Sequence, residues 1–145
     1  MTAPLATTDT GVTRVSAGLA LLRIIVGVIF AAHGAQKIFV YGFDGVAGSF
    51  GQMGVPMAGI VGPAVALLEF FGGIALVLGL LTRFTALGLA ATMAGAMTLV
   101  HLPNGFFAPN GIEFPLALFG AATAIAIIGA GRFSVDQVLS QRRAS

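Results

Sequence analysis

The sequence contains no cysteine, which excludes a disulfide, a thiolate metal ligand and a redox-active thiol from this chain. Any redox role must therefore run through a bound cofactor, a quinone or a partner. Charge is the second scarcity. Seven basic and five acidic side chains make up 8% of 145 residues, against 57% hydrophobic. So few charges cannot coat the surface of a water-soluble domain of this size. The net charge is only +2, and the basic residues are dispersed. No patch could track phosphates, and nucleic acid is excluded as a partner.

What is present is long uncharged runs. No Asp, Glu, Lys or Arg occurs between Phe84 and Ile112, or between Phe114 and Ala130. At 1.5 Å per residue, four blocks are long enough to cross about 30 Å of hydrocarbon, at about 16–36, 57–81, 84–102 and 114–131. The sequence thus predicts an all-α, polytopic membrane four-helix bundle in lipid. A signal peptide followed by soluble core helices fits poorly, because no basic region precedes Arg14 and one cleaved segment would leave three spans.

Residues 1–15 are small, polar and turn-forming and read as a flexible tail, and residues 132–145 as a second tail. If the spans alternate, Arg14, Arg83, Arg132, Arg142 and Arg143 share one side and only Lys37 flanks the other, which places both termini in the cytoplasm. The connection 37–56 is too long for a turn and too glycine-rich for a span. Asp44 could cap a short helix there, with Val46, Phe50 and Met53 at i, i+4 and i+7. The expectation is an interfacial or re-entrant segment between the first and second spans. Spans two and three, linked only through Thr82-Arg83, must be adjacent and antiparallel. Gly79 to Phe84 and Gly129 to Phe133 both close a glycine-rich span with Arg-Phe, a faint internal echo.

Polar residues sort by depth. Arg23, Phe30 and Lys37 recur every seven residues with Gly27 and Gly34 between them, a helical stripe whose small residues allow a close neighbour and which should face protein. Glu69 lies twelve residues from either end of its span, about 18 Å deep. An ionised carboxylate there costs roughly 3 kcal/mol, so Glu69 must be protonated, hydrogen-bonded or paired. Arg23 is nearest in depth, whereas His33 and Lys37 lie on the side toward which Glu69 leans. The bland alternative is cations snorkelling to headgroups beside a neutral glutamic acid. His33, His101 and Glu113 fall near the outer boundary, but neither histidine has the HxxxH or ExxH spacing that preplaces two ligands, and no metal is expected. A quinone head group needs less, a donor to each carbonyl oxygen and an apolar slot.

Leu22-Arg23, Gly27, Phe30, His33-Gly34 and Lys37-Ile38-Phe39, then Glu69 before Gly72-Gly73 and the ending Leu78 to Arg83, make the sequence resemble the DoxX family of four-helix bacterial membrane proteins. The match spans about Gly18 to His101 and, more loosely, the fourth helix. The resemblance implies a multi-pass inner-membrane protein related to the small DoxD-type subunit of thiosulfate:quinone oxidoreductases. It points to Arg23, His33, Lys37, Glu69 and His101.

Together these features suggest a membrane subunit of a quinone-linked oxidoreductase or redox-defence complex. A pocket of His33, Lys37, Glu69 and His101 would bind quinone, Glu69 and His33 would be catalytic, and Arg23 would set the charge of Glu69. A soluble or peripheral oxidoreductase and a second copy of the chain are the candidate partners. A proton- or solute-coupled transporter and a non-catalytic scaffold are the alternatives.

Overall fold

The computed structural model describes residues 8–144, and every regular element in that range is helical. Helix α1 (Thr8–Ala35) continues through a π-helical segment, Gln36–Tyr41, into α2 (Gly42–Gln52); α3 (Ala58–Leu78) and α4 (Thr82–Ala96) follow. A second π-segment, Met97–His101, and a 3₁₀ turn, Leu102–Asn104, end α4, and α5 (Glu113–Ile128) and α6 (Val135–Ala144) complete the chain.

Side-chain distribution is inverted relative to a soluble domain. Phe71, Leu87 and Ile127 are 60%, 63% and 72% exposed, while Arg23 and Glu69 are 2% and 3% exposed. Apolar side chains outside and charges inside are what a hydrocarbon solvent selects. Three helical runs, Thr10–Gln52, Ala58–Leu78 and Thr82–Asn104, are long and apolar enough to cross a membrane, and α5 is a shorter apolar helix. Its 16 residues give a rod of about 24 Å. Packed along α4, it closes a membrane helical bundle.

The bundle is two tight antiparallel pairs, α1 with α3 and α4 with α5, joined more loosely to each other. Glycine sets the first pair. A Cβ at Gly27 would lie 2.6 Å from the Gly73 carbonyl oxygen, and one at Gly34 or Gly73 would collide with the backbone of Phe70 or Ala31. Without side chains at these points the two backbones touch, which replaces the hydrophobic drive that lipid removes. Val26, Phe30, Leu76, Leu89, Leu118 and Ile125 fill the space between the pairs.

Residues 8–15 belong to α1, so the first helix starts earlier than the block at 16–36 suggests, and residues 1–7 of the expected tail lie outside the described residues. The connection 37–56 holds the expected short helix. Gly42, at φ 69°, breaks the run after the π-segment, and α2 packs back on α3 with Val46 buried against Gly62. Asp44 sits in its first turn without a side-chain capping bond. The link between α3 and α4 is residues 79–81, and Thr82 and Arg83, expected as the link, open α4 instead. Gly79 ends α3 at φ 70°, with the Leu80 N–H on the Ala75 carbonyl at 2.9 Å, a Schellman closure. The second expected tail, 132–145, is not unstructured: α6 occupies Val135–Ala144, and residue 145 lies outside the described residues.

Candidate functional site

The looseness between the two helix pairs leaves a cavity of about 740 Å³ at the end of the bundle where α1 and α4 finish. Its walls are mostly apolar, with Phe30 from α1, Val65 and Leu68 from α3, Met93 from α4 and Leu118 from α5, roofed by Phe50 and Met53. Four ionisable side chains interrupt them: His33, Lys37, Glu69 and His101. Both π-segments deliver members of this set, Lys37 at the end of α1 and His101 at the end of α4. The wider turn of a π-segment rotates the following side chains relative to an α-helix, and such bulges recur at functional sites.

Glu69 is paired. The Lys37 ammonium donates to its carboxylate, with the glutamate side chain 4% and the lysine side chain 19% exposed. A charge-assisted hydrogen bond answers the desolvation cost that a lone carboxylate would carry at this depth. His101 donates Nδ1–H to the Asn110 carbonyl at 2.8 Å. That carbonyl can only accept, so Nδ1 holds the proton and Nε2 of the neutral ring is an acceptor. His33 is exposed at the rim, its ring 6.1 Å from that of Phe114. Glu113 stands apart from the cavity walls, its carboxylate accepting the Ala108 N–H at 2.8 Å. Among the described residues no cluster of His, Cys, Asp or Glu could hold a metal ion.

Arg23 does not meet Glu69. Its guanidinium lies at the arginine-rich end, donating from Nη1 to the Ala130 carbonyl at 2.6 Å and from Nη2 to the Phe133 carbonyl at 2.7 Å. Against the expectation that Arg23 would set the charge of Glu69, the partner of Glu69 is Lys37. The physical reason is the one that separates them in depth: side chains lean toward the start of their own helix, which on antiparallel helices carries Arg23 one way and Glu69 the other. Gly79 makes room for this clamp, because a Cβ there would fall on the guanidinium.

The sequence reading missed Asp136. It accepts the Leu81 N–H at 2.8 Å and the Thr82 N–H at 2.9 Å, capping α4 from a helix more than fifty residues later. Burial works to raise its pKa, but the hydrogen bonds from Thr82 and Leu81 and the charge of Arg23 outweigh burial, and the carboxyl is held below its ordinary value. Ser134 three residues before Gln137, a capping-box pattern, signals the start of α6, with Ser134 Oγ accepting the Gln137 N–H at 3.2 Å, but not the reach of Asp136 to α4.

The match to known families covers nearly the whole chain. The DoxX family matches residues 18–102, and the family described as TQO small subunit DoxD matches residues 61–145. A Bacillus subtilis (strain 168) protein named "Putative oxidoreductase CatD" is 32% identical over 119 residues, 82% of this chain and 84% of its own. The inner membrane protein YqjF of Escherichia coli (strain K12) is 35% identical over 127 residues, 86% of this chain and 94% of its own. No solved structure matches. The apolar helices, the glycine-packed α1–α3 pair and these matches agree: the chain belongs to the DoxX family.

Proposed function

We propose that this protein is the membrane subunit of a quinone-linked oxidoreductase or redox-defence complex, and that the cavity between its helix pairs binds the quinone. One observation carries the reading: a largely apolar space of about 740 Å³ whose few polar groups are His33, the Lys37–Glu69 pair, Thr92 and His101. That donor set fits a quinone. Two carbonyl oxygens on an otherwise apolar ring ask for one or two donors and a dry slot, and Lys37 and His33 are donors on an apolar wall. The descriptions of the matched DoxD family and of the relative CatD point to the same chemical class.

A quinone, when bound, takes up two electrons and two protons. The Lys37 ammonium would hold one ring oxygen while remaining tied to Glu69. His33, at the rim, would hold the other and reach the boundary from which protons arrive. Glu69, as acceptor, would hold the Lys37 ammonium in place at the cavity wall. Packing by Phe30, Leu68 and Met93 would exclude water around them. The electrons require a soluble or peripheral oxidoreductase partner at the membrane surface, and the placement of the protein is the bacterial inner membrane with both termini cytoplasmic.

Titrating a ubiquinone analogue into the protein in lipid nanodiscs tests this. Saturable binding that is lost in Glu69→Gln and in His33→Ala is expected. Equal affinity in the parent and both variants would reject the assignment, and pH-dependent solute flux in proteoliposomes that vanishes in Glu69→Gln would put a transporter in its place.

A further inference from the structure

The cavity is not sealed toward lipid. Near their short link, α3 and α4 are in close contact, with a Cβ at Gly72 falling 3.3 Å from Thr85 Cγ2 and 3.5 Å from Leu89 Cδ2. Toward the cavity end they diverge. There Gly88, Ala91 and Gly95 of α4 and Leu99 of the following π-segment line the cavity, and α3 opposes them with Val61, Val65 and Leu68. A Cβ at Gly88 would still touch Leu68 at 3.4 Å, but one at Gly95 would meet nothing within 4 Å. Ala91 and Leu99 line the cavity and are also exposed. The space between the helices is therefore a slot that runs from the ionisable groups to the hydrocarbon.

The cavity also opens beside His33 and Phe114, where α1 and α5 barely touch. That opening carries an imidazole. The α3–α4 slot carries no ionisable group, and two of its three α4 positions are glycine. The two openings thus differ in chemistry: one suits proton traffic, the other an alkyl chain.

We infer that the α3–α4 slot holds the hydrocarbon tail of the ligand whose head group lies at Lys37 and Glu69, and that Ala91 and Gly95 determine selectivity for tailed over tail-less quinones. The inference rests on the quinone reading of the cavity and adds to it a lateral route of access, from the bilayer and not from water. The slot lies between helices that run through hydrocarbon, so a chain leaving it exchanges protein contacts for lipid contacts with little net cost, and a polar extension would not. Small residues at Gly88, Ala91 and Gly95 leave the groove open, and larger side chains there would fill it.

The test uses the full chain in nanodiscs and two probes with one ring, 2,3-dimethoxy-5-methyl-1,4-benzoquinone with and without a decyl chain. Ala91→Phe and Gly95→Leu should each weaken the decyl quinone about tenfold, because a filled slot leaves the tail no path from the bound head group to the bilayer. Both variants should bind the tail-less ring as the parent does, which also reports that they are folded. Equal weakening of both probes, or unchanged binding of the decyl quinone, would overturn the tail assignment while leaving the head-group site in place. A parent protein that binds neither probe would overturn the quinone reading itself, and the tail assignment with it.

Discussion

Lys37 and Glu69 form one ion pair across the α1–α3 contact, with the lysine on a π-segment and the glutamate at the middle of a membrane-spanning helix. Each explains why the other is tolerated. Burial makes an unpaired member costly, so removing one partner should be worse than removing both. Glu69→Ala is expected to destabilise the protein by about 3 kcal/mol, and Lys37→Met combined with Glu69→Leu to recover most of that loss. Unfolding by denaturing detergent measures both. Quinone binding should be lost in the single and the double variant alike, which separates stability from function.

The glycine contacts predict a second graded result. Gly73→Val would push α3 off the Ala31 backbone and should cost about 2 kcal/mol, the usual scale of overpacking. Gly18→Ala, at a position where a Cβ meets nothing within 4 Å, should leave stability unchanged. Thermal unfolding of the two variants side by side checks the contrast.

Arg23 acts as a clamp on the chain between α5 and α6. Arg23→Met leaves the Ala130 and Phe133 carbonyls without their donor and should destabilise by about 2 kcal/mol, yet leave quinone affinity unaltered because Arg23 does not line the cavity. Loss of quinone affinity in a folded Arg23→Met protein would instead return Arg23 to the binding site.

Asp136 predicts a pH dependence. Its folded pKa lies below the ordinary carboxylate value, so as pH falls the unfolded chain binds the proton first. The stabilisation is fully present above the ordinary carboxylate range and is lost as pH drops through and below it. Asp136→Ala should cost about 1 kcal/mol at neutral pH, as for other lost helix caps. The gap from the parent protein should narrow as pH is lowered to about 3. A pH-independent difference in melting temperature would contradict the capping role.

Much of the fold was legible because lipid imposes simple rules. Charge-free runs long enough to span hydrocarbon marked the helices, and the seven-residue recurrence of Gly27 and Gly34 marked the face of α1 that meets α3. Val46, Phe50 and Met53 marked the short helix that folds back over the cavity. What was hidden depends on groups that leave no trace in side-chain patterns. The Arg23 Nη1 and Nη2 groups are held by two backbone carbonyls, and a carbonyl has no signature residue. Lys37 and His101 owe their places to π-segments at the ends of α1 and α4, for which no local sequence signal stands out. Asp136 caps a helix that begins fifty-four positions earlier, a pairing that only the folded chain brings about.

The most direct measurement is the quinone content of protein purified from native membranes in mild detergent, extracted with organic solvent and quantified per chain, for the parent and for Glu69→Gln. A near-stoichiometric quinone in the parent that falls to background in Glu69→Gln is the predicted result. Equal quinone in the two preparations, at the level carried by bulk lipid, would contradict a head-group site at Lys37 and Glu69.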